Sequence, residues 1–261
     1  MKTVRSRDST RIAFWRGGNG PSLLLVHGTT ADHTTTWRLI RPKLEQLFTV
    51  YAMDRRGRGG SSDSPDYDLL REAEDVAAVI DAIGGPVNVV GHSYGALCAL
   101  EAALVTANLQ RLVLYEGIPL DGKDLYPPGV VEHLQQLLDA GDVEGVLQAT
   151  YRTVAEMSQE EVELLRSQPD AWAVRLGNAP TVPRELASEQ RYVFDPARFE
   201  KMSAPTTFLV GGNSPSRELS NAMRAAQALP DARVVILPGE QHIAMYTAPD
   251  AFVREVKQAL C

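Results

Sequence analysis

Short apolar runs alternate along the chain with segments of helical periodicity. Continuous apolar runs such as SLLLV and VNVV indicate strands that are buried on both faces of a sheet. Strands that alternate with helices predict a mainly parallel, doubly wound α/β sheet covered on both faces. The predicted strands are 11–15, 22–28, 49–54, 86–93, 111–117, 206–212 and 232–239, and the predicted helices lie near 37–48, 69–83, 94–104, 216–228 and 250–260.

The middle of the chain, residues 119–200, has a different character. It is helix-rich, interrupted by several prolines and without a convincing strand pattern. Because the strand–helix alternation stops before this segment and resumes after it, we interpret 119–200 as an inserted helical cap. The α/β core then consists of residues 1–118 and 201–261.

Composition and charge narrow the function classes. The chain is 44% hydrophobic and 23% charged, and no apolar run approaches the ~18 residues of a membrane span. The first residues are polar without an apolar signal region, and Cys98 and Cys261 have no metal-ligand or disulfide spacing. A net charge of −7 disfavours nucleic acid and anionic membranes as partners. We expect a cytoplasmic protein that acts on a small molecule; the sequence does not predict its oligomeric state.

The stretch GHSYG, Gly91–Gly95, carries the clearest chemical signal. It matches the pattern G-x-S-x-G and stands between a predicted buried strand and a predicted helix. In this context the pattern is typical of a nucleophile elbow, where a tight turn exposes the serine hydroxyl and glycines let strand and helix approach. An ordinary glycine-rich turn is the alternative. We predict Ser93 as the nucleophile.

A serine nucleophile needs a base and donors for the oxyanion. His242, in GEQH, follows the last predicted strand and is the one histidine late in the chain, where the order Ser–acid–His places the base. HGTT, residues 27–30, follows a buried strand, so the backbone N–H of Thr29 is a candidate oxyanion donor. The N–H of Tyr94, directly after Ser93, is the second candidate.

These motifs together resemble the α/β-hydrolase superfamily. HGTT, DRRGRGGS, GHSYG and GEQH occur in the order and spacing of that superfamily, and the resemblance covers the chain outside the cap. It implies catalysis by a serine, a histidine and an acid, for which no cofactor or metal is needed. A serine at the elbow argues against the dehalogenases and epoxide hydrolases of the superfamily, which use an aspartate nucleophile. We interpret Asp54 and the arginines of DRRGRGGS as loop-structuring residues.

The sequence differs from the family pattern at the position of the catalytic acid. Most members carry it as G-x-x-D after the strand that follows the cap, but here Ser214 occupies that position in GGNSP. Some relatives hold the acid at the end of the strand before the cap, where this chain has Glu116. The hypothesis is therefore a Ser93–His242–Glu116 triad, with Asn213 as an alternative orienting group. Glu218 is a less favoured acid expected to face away, Asp121 and Asp124 at the cap entrance are minor possibilities, and a degenerate site is the last option.

The substrate is less well defined by the sequence. The cap residues Leu125, Tyr126, Tyr151, Met157 and Trp172 are candidates to line a pocket, and Arg152, Arg166 and Arg175 are interpreted as solvated surface. Without an evident carboxylate or phosphate clamp, the favoured function is hydrolysis of a small to medium, largely apolar ester or lactone. The alternatives are a C–C bond hydrolase or lyase that uses the same triad, and a non-catalytic ligand-binding protein.

Overall fold

The computed structural model describes residues 1–118, 121–122 and 125–260. These residues contain an eight-stranded sheet in the order β1-β2-β4-β3-β5-β6-β7-β8. Its strands are β1 (Lys2–Arg5), β2 (Arg11–Gly17), β3 (Ser22–Val26), β4 (Thr49–Met53), β5 (Val87–His92), β6 (Leu109–Tyr115), β7 (Thr206–Gly211) and β8 (Ala232–Leu237). Only the pairs β1–β2 and β2–β4 are antiparallel. The predicted mainly parallel α/β sheet is confirmed.

Helices surround the sheet and fill the interval between β6 and β7. They are α1 (Arg41–Leu44), α2 (Leu69–Ile83), α3 (Tyr94–Ala102), α4 (Val130–Asp139), α5 (Val143–Ala149), α6 (Gln159–Arg166), α7 (Pro169–Asn178), α8 (Val182–Gln190), α9 (Ser216–Ala228), α10 (Ala244–Thr247) and α11 (Pro249–Leu260). Helices α4–α8 belong to residues 125–200, which we call the helical segment. Within the described ranges, no helix has the length and apolar character needed to cross a bilayer.

The two faces of the sheet bury alternate residues of each central strand. On β3, Leu24 and Val26 pack on the side covered by α2, α3 and α9, whereas Leu23 and Leu25 pack on the opposite side. That second side is covered by α1, α11 and the helical segment. Because a strand side chain alternates between faces, a run that is apolar at every position is the pattern of a strand covered on both sides.

One predicted helix is much shorter than expected, and one strand was not predicted. The helix expected over 37–48 is α-helical only at Arg41–Leu44, and residues 33–40 form turns. Side chains here compete for the backbone: the Asp32 carboxylate accepts the Thr35 N–H at 3.0 Å, and the Thr35 hydroxyl accepts the Asp32 N–H at 2.9 Å. Strand β1 was not predicted, because it is an exposed polar edge without apolar alternation.

Three buried arginines of the loop after β4 connect it to two helices. Arg55 lies 2.7 Å from Glu72 of α2 and 3.0 Å from Glu185 of α8, and all three side chains are fully buried. Arg58 forms an ion pair with the same Glu185, and Arg56 pairs with Asp75 of α2 at 2.7 Å. A buried charge is tolerated only when it is paired, so these contacts fix the loop and join the helical segment to the sheet.

Removal of Glu185 is expected to destabilise the protein strongly. Glu185→Ala removes the carboxylate that forms ion pairs with both Arg58 and Arg55. Buried positive charge is then left uncompensated. We expect a loss of about 3–5 kcal/mol in the free energy of unfolding, measured by urea denaturation. Glu163→Ala, at an exposed position of α6, is the control and should change it by less than about 0.5 kcal/mol. Equal effects of the two substitutions would contradict this account of the loop.

Candidate active site

Ser93 lies in a strained turn between β5 and α3. Its backbone has φ 54° and ψ −131°, a conformation that non-glycine residues avoid. The turn is fixed by the Ser93 N–H, which donates to the Tyr115 carbonyl on β6 at 2.9 Å. The side chain is partly exposed and lines the main cavity. This is the geometry that the G-x-S-x-G pattern predicts for a nucleophile elbow.

Two glycines allow the loop of the HGTT motif to approach the elbow. A Cβ on Gly95 would stand 2.2 Å from the carbonyl oxygen of His27, and one on Gly28 would stand 2.9 Å from the Cβ of Ser93. Side chains at either position would therefore push the two loops apart. The close packing brings Thr29 to the same cavity as Ser93.

His242 follows β8 and contacts the acid at the end of β6. Its Nδ1 lies 2.6 Å from Oε2 of Glu116, whose side chain is only 1% exposed. Burial alone would lower the pKa of His242, but the hydrogen bond and charge of Glu116 outweigh burial and hold the pKa above its usual 6.5. The contact at Nδ1 thus fixes the orientation of the imidazole ring and leaves its Nε2 available for proton transfer.

The Glu116 carboxylate has two further hydrogen-bond donors. The Gly211 N–H at the end of β7 donates to Oε1 at 2.9 Å, and the Ser214 hydroxyl donates to the same oxygen at 2.5 Å. Burial would raise the pKa of Glu116, but these donors and His242 lower it below its usual value. Ser214 occupies the position where most of the superfamily has its acid, and here it supports the carboxylate that comes from β6.

Three side chains that the sequence analysis did not single out hold the histidine loop. The Tyr115 hydroxyl donates to the Gln241 carbonyl, and Nε2 of His92 lies 2.9 Å from the His242 carbonyl. Burial keeps the pKa of His92 well below 6.5, so this ring is neutral and its Nε2–H is the donor. On the other side, the Glu161 carboxylate of α6 accepts the Ile243 N–H at 3.2 Å.

Among the further candidates, Asp124 lies outside the described residues and Asp121 is exposed. Asn213 and Glu218 occupy different places. Asn213 is exposed, and its side-chain amide donates to the Gly239 carbonyl at 3.1 Å, so Glu116 rather than Asn213 contacts His242. The expectation that Glu218 faces away is wrong: its carboxylate accepts the Gly117 N–H at 3.2 Å and lines the cavity. Burial, followed by the charge of Glu116, raises the pKa of Glu218.

The candidate oxyanion donors also border the elbow. Tyr94 begins α3, so its N–H belongs to the first turn of a helix, where N–H groups lack an intrahelical acceptor. Within the part of the chain that the structure describes, neither this N–H nor that of Thr29 donates to a protein acceptor. The Tyr94 ring points into the core, with the Arg55 guanidinium 4.6 Å from its centroid.

The cavity lies between the sheet edge and the helical segment. Of the predicted apolar residues, Leu125, Tyr126, Tyr151 and Met157 line it. Trp172 is not among its lining residues; its indole N–H donates to Glu144 at 3.0 Å instead. The walls combine apolar side chains with a few polar groups, which is the usual constitution of a small-molecule site.

Arg175 contradicts its interpretation as solvated surface. Its residue is only 5% exposed, and it lines the cavity together with Ser93 and His242. The signal was present in the sequence: on α7, Ala171, Arg175 and Asn178 are spaced by three to four residues and share the buried face. The prediction failed because a charged residue was assigned to solvent without regard to its helical phase.

One cluster outside the cavity has the composition of a metal site. Asp32, His33 and Asp54 offer ligand atoms within 4.8 Å of one another. Protein donors already occupy both carboxylates, however: Asp54 accepts the His33 Nδ1 at 2.8 Å and the Gly60 N–H at 2.7 Å, and Asp32 accepts from Thr34. The cluster is therefore a hydrogen-bonded loop anchor, and we assign no metal to it.

Comparison with known proteins places the chain in a family. A model of the alpha/beta hydrolase family matches residues 23–255, and the chain belongs to this family. It is similar to the crystal structure of an alpha/beta hydrolase from Sphaerobacter thermophilus, with a TM-score of 0.86 and 33% identity over 100% of both chains. The fold and the family suggested by the motifs are thus confirmed.

Two curated relatives carry names of hydrolases. The chain is 38% identical over 128 residues to the N-formylmaleamate deformylase of Pseudomonas putida, a match to 46% of this chain and 47% of that protein. It is 27% identical over 246 residues to the pimeloyl-[acyl-carrier protein] methyl ester esterase of Nitrosomonas europaea, covering 90% and 94%. The chain spans about half the length of the first of these relatives. These are proteins to which the chain is similar, and its membership of the alpha/beta hydrolase family rests on the family model.

Replacement of Glu116 is expected to lower the pKa of His242. Glu116→Gln keeps the shape but removes the charge that stabilises the imidazolium, so the lowering effect of burial is opposed only by the smaller effects of the Glu218 and Glu161 charges. We expect the pKa to fall by about one pH unit or more, followed by NMR titration of the imidazole ring protons. Asn213→Ala, the matched control, should leave it unchanged. A fall in the control, or none in Glu116→Gln, would show that Glu116 does not set this pKa.

Proposed function

We propose that the protein hydrolyses acyl compounds through a Ser93–His242–Glu116 triad and a Ser93 acyl-enzyme. The observation that carries the proposal is the 2.6 Å contact between His242 Nδ1 and the buried Glu116, next to a cavity that Ser93 and His242 both line. An oriented base and a partly exposed serine in a strained turn, both on the wall of one cavity, are the arrangement that serine hydrolases use. The same contact argues against a non-catalytic protein, whose support was the missing aspartate after Gly211.

The acylation step follows from the assignment of the histidine nitrogens. With Nδ1–H donated to Glu116, the Nε2 lone pair accepts the proton of the Ser93 hydroxyl as its oxygen attacks the carbonyl carbon. The backbone N–H groups of Thr29 and Tyr94 stabilise the oxyanion. Glu116 stabilises the imidazolium without taking up the proton. When the tetrahedral intermediate collapses, His242 gives this proton to the leaving group.

Deacylation repeats these roles with water. Neutral His242 takes a proton from the attacking water, and the Ser93 oxygen leaves as its proton returns. We propose an ester or lactone as the favoured substrate, as the apolar cavity wall and the likeness to a methyl ester esterase support. A carboxylic amide is the second candidate, because the chain is similar to a deformylase. The chemistry differs only in the leaving group, which is an amine that His242 must protonate.

We also propose that the helical segment acts as a cap over the site. Leu125, Tyr151 and Met157 lie on the cavity wall that it supplies, and Glu161 and Arg175 connect it to the histidine loop and the HGTT loop. Exclusion of bulk water by such a cover strengthens the hydrogen bonds of the oxyanion and selects the acyl group by shape.

Ser93→Ala is expected to abolish labelling and turnover. Incubation with a fluorophosphonate probe should label wild-type protein at one serine, identified by peptide mass spectrometry. In Ser93→Ala we expect no labelling and a fall in the hydrolysis of nitrophenyl butyrate of about a thousandfold or more. Ser220→Ala, at an exposed position of α9, should behave as wild type. Turnover that persists in Ser93→Ala would refute the nucleophile, and poor ester turnover beside efficient cleavage of a β-diketone would favour C–C bond hydrolysis.

Glu116→Gln is expected to show whether Glu116 or Asn213 orients His242. Loss of the charge that stabilises the imidazolium should lower kcat by about 10²–10⁴-fold, because it acts on the transition state rather than on binding. Asn213→Ala should retain near-wild-type kcat, since its amide contacts Gly239. Near-wild-type turnover of Glu116→Gln would overturn the assignment of the acid, whatever the behaviour of Ser93→Ala.

A further inference from the structure

A buried arginine without an acidic partner stands in the wall of the cavity. Arg175 of α7 lines the cavity with Ser93, yet among the described residues no carboxylate forms an ion pair with it. The other buried arginines, Arg55, Arg56 and Arg58, are each paired with at least one carboxylate. Arg175 is therefore the exception to the rule that buried charges are paired.

The hydrogen bonds of Arg175 within the protein are few and long. Nη1 lies 3.3 Å from the Thr30 hydroxyl and 3.4 Å from the Tyr151 hydroxyl, and Nη2 lies 3.5 Å from the Tyr246 hydroxyl. Its Nε is buried without any partner. Good N–H···O distances are 2.7–3.2 Å, so all three bonds are long, and at least two of the five guanidinium N–H donors, including Nε–H, have no partner in the described part of the chain.

The hydroxyl groups around Arg175 are neutral acceptors. Thr30 and Tyr151 bond each other at 2.7 Å, and the Tyr246 hydroxyl donates to the Thr35 carbonyl at 2.5 Å. Their oxygens accept from Arg175 at the same time, but they carry no charge that offsets the guanidinium. The arrangement fixes a planar donor group at the cavity wall while leaving its charge uncompensated, which is the preorganisation that binds a planar anion.

The acids of the cavity do not neutralise this charge. Glu189, on the cavity wall, accepts from the Tyr126 hydroxyl, and burial raises its pKa to about 8, so it is mainly protonated at neutral pH. Glu218 accepts the Gly117 N–H and lies beside Arg217 at 3.5 Å. Neither carboxylate forms an ion pair with Arg175, whose guanidinium stays charged at any pH the protein survives.

We infer that Arg175 binds a carboxylate of the substrate, so that the compound hydrolysed at Ser93 is an anionic acyl compound such as a monoester or monoamide of a dicarboxylic acid. A carboxylate accepts two parallel N–H bonds from a guanidinium, which fits the planar fork and its unused donors. This inference rests on the proposed function for the position of the acyl group, and it differs from the expectation of a largely apolar substrate by adding a carboxylate.

Binding to a catalytically inactive background tests the inference independently of turnover. In Ser93→Ala, isothermal titration calorimetry compares monomethyl succinate with methyl isocaproate, in which an isopropyl group replaces the carboxylate. We expect tighter binding of the anion, and a loss of about 10- to 100-fold for the anion alone when Arg175→Met is added. Arg166→Met, a half-exposed arginine of the same segment, should change neither affinity.

Further outcomes distinguish recognition of the ligand carboxylate by Arg175 from a purely structural role of this residue. Equal weakening of both ligands by Arg175→Met, or equal affinity of the two ligands in Ser93→Ala, would overturn the inference and leave Arg175 as a structural clamp. Should Arg175→Met fail to fold by circular dichroism, Arg175→Lys keeps the charge but not the fork, and we expect several-fold weaker binding of the anion alone. Unchanged anion affinity in Arg175→Lys would overturn bidentate recognition. Because no bond is cleaved, these results stay separate from a failure of Ser93 as nucleophile.

Discussion

The active-site edge of the sheet depends on the burial of one carboxylate. Glu116 ends an apolar strand, is almost fully buried, and would be costly there without compensation. Its three donors come from different places in the chain: Gly211 from β7, Ser214 from the following turn, and His242 from the loop after β8. Satisfying this charge therefore ties together the carboxyl ends of three neighbouring strands. The backbone bears strain at the same point, since Glu116 has φ 55°.

The HGTT loop is shared between the sheet and the helical segment. Thr30, at φ 65°, bonds to Tyr151, and its carbonyl accepts from the side chain of Asn178 at 3.1 Å. Thr29, the proposed oxyanion donor, precedes it directly. The position of this donor thus depends on α7 and on the π-helical turn Thr150–Val154, which follows α5, as well as on β3. We infer that the helical segment supports the chemistry of the site in addition to enclosing it.

The sequence predicted the parts of the molecule that follow from periodicity and order. The strands around the elbow, helix α2 and the candidates Ser93 and His242 were recognisable because apolar runs and glycine spacing are local signals. The contact between Glu116 and His242 joins residues far apart in the chain. It was inferred from members of the superfamily that hold the acid at the end of the strand before the cap, which is an argument from family resemblance.

What escaped prediction depends on three-dimensional packing of polar groups. Ser214 was recorded only as the place of a missing acid, although its hydroxyl supports the relocated one. His92 and Glu161 hold the histidine loop through backbone atoms of His242 and Ile243, and a pattern of side-chain types contains no information on such bonds. Glu218 was misplaced because the phase of α9 relative to the strand ends is not fixed by its own sequence.

The charge of the cavity wall depends on how carboxyl groups and a guanidinium respond to burial: the first can lose their charge, and the second cannot. A carboxyl group that loses water can take up a proton, as the raised pKa of Glu189 illustrates, and so removes its own charge. A guanidinium has no such route, and Arg175 keeps its charge in the same surroundings. Burial therefore neutralises Glu189 but leaves Arg175 charged on the same cavity wall. The other arginine of this wall, Arg217, is paired with Glu156 and Glu218. The cost of the unpaired charge falls when an anion enters, so the cavity stabilises its ligand and its own arginine by one and the same contact.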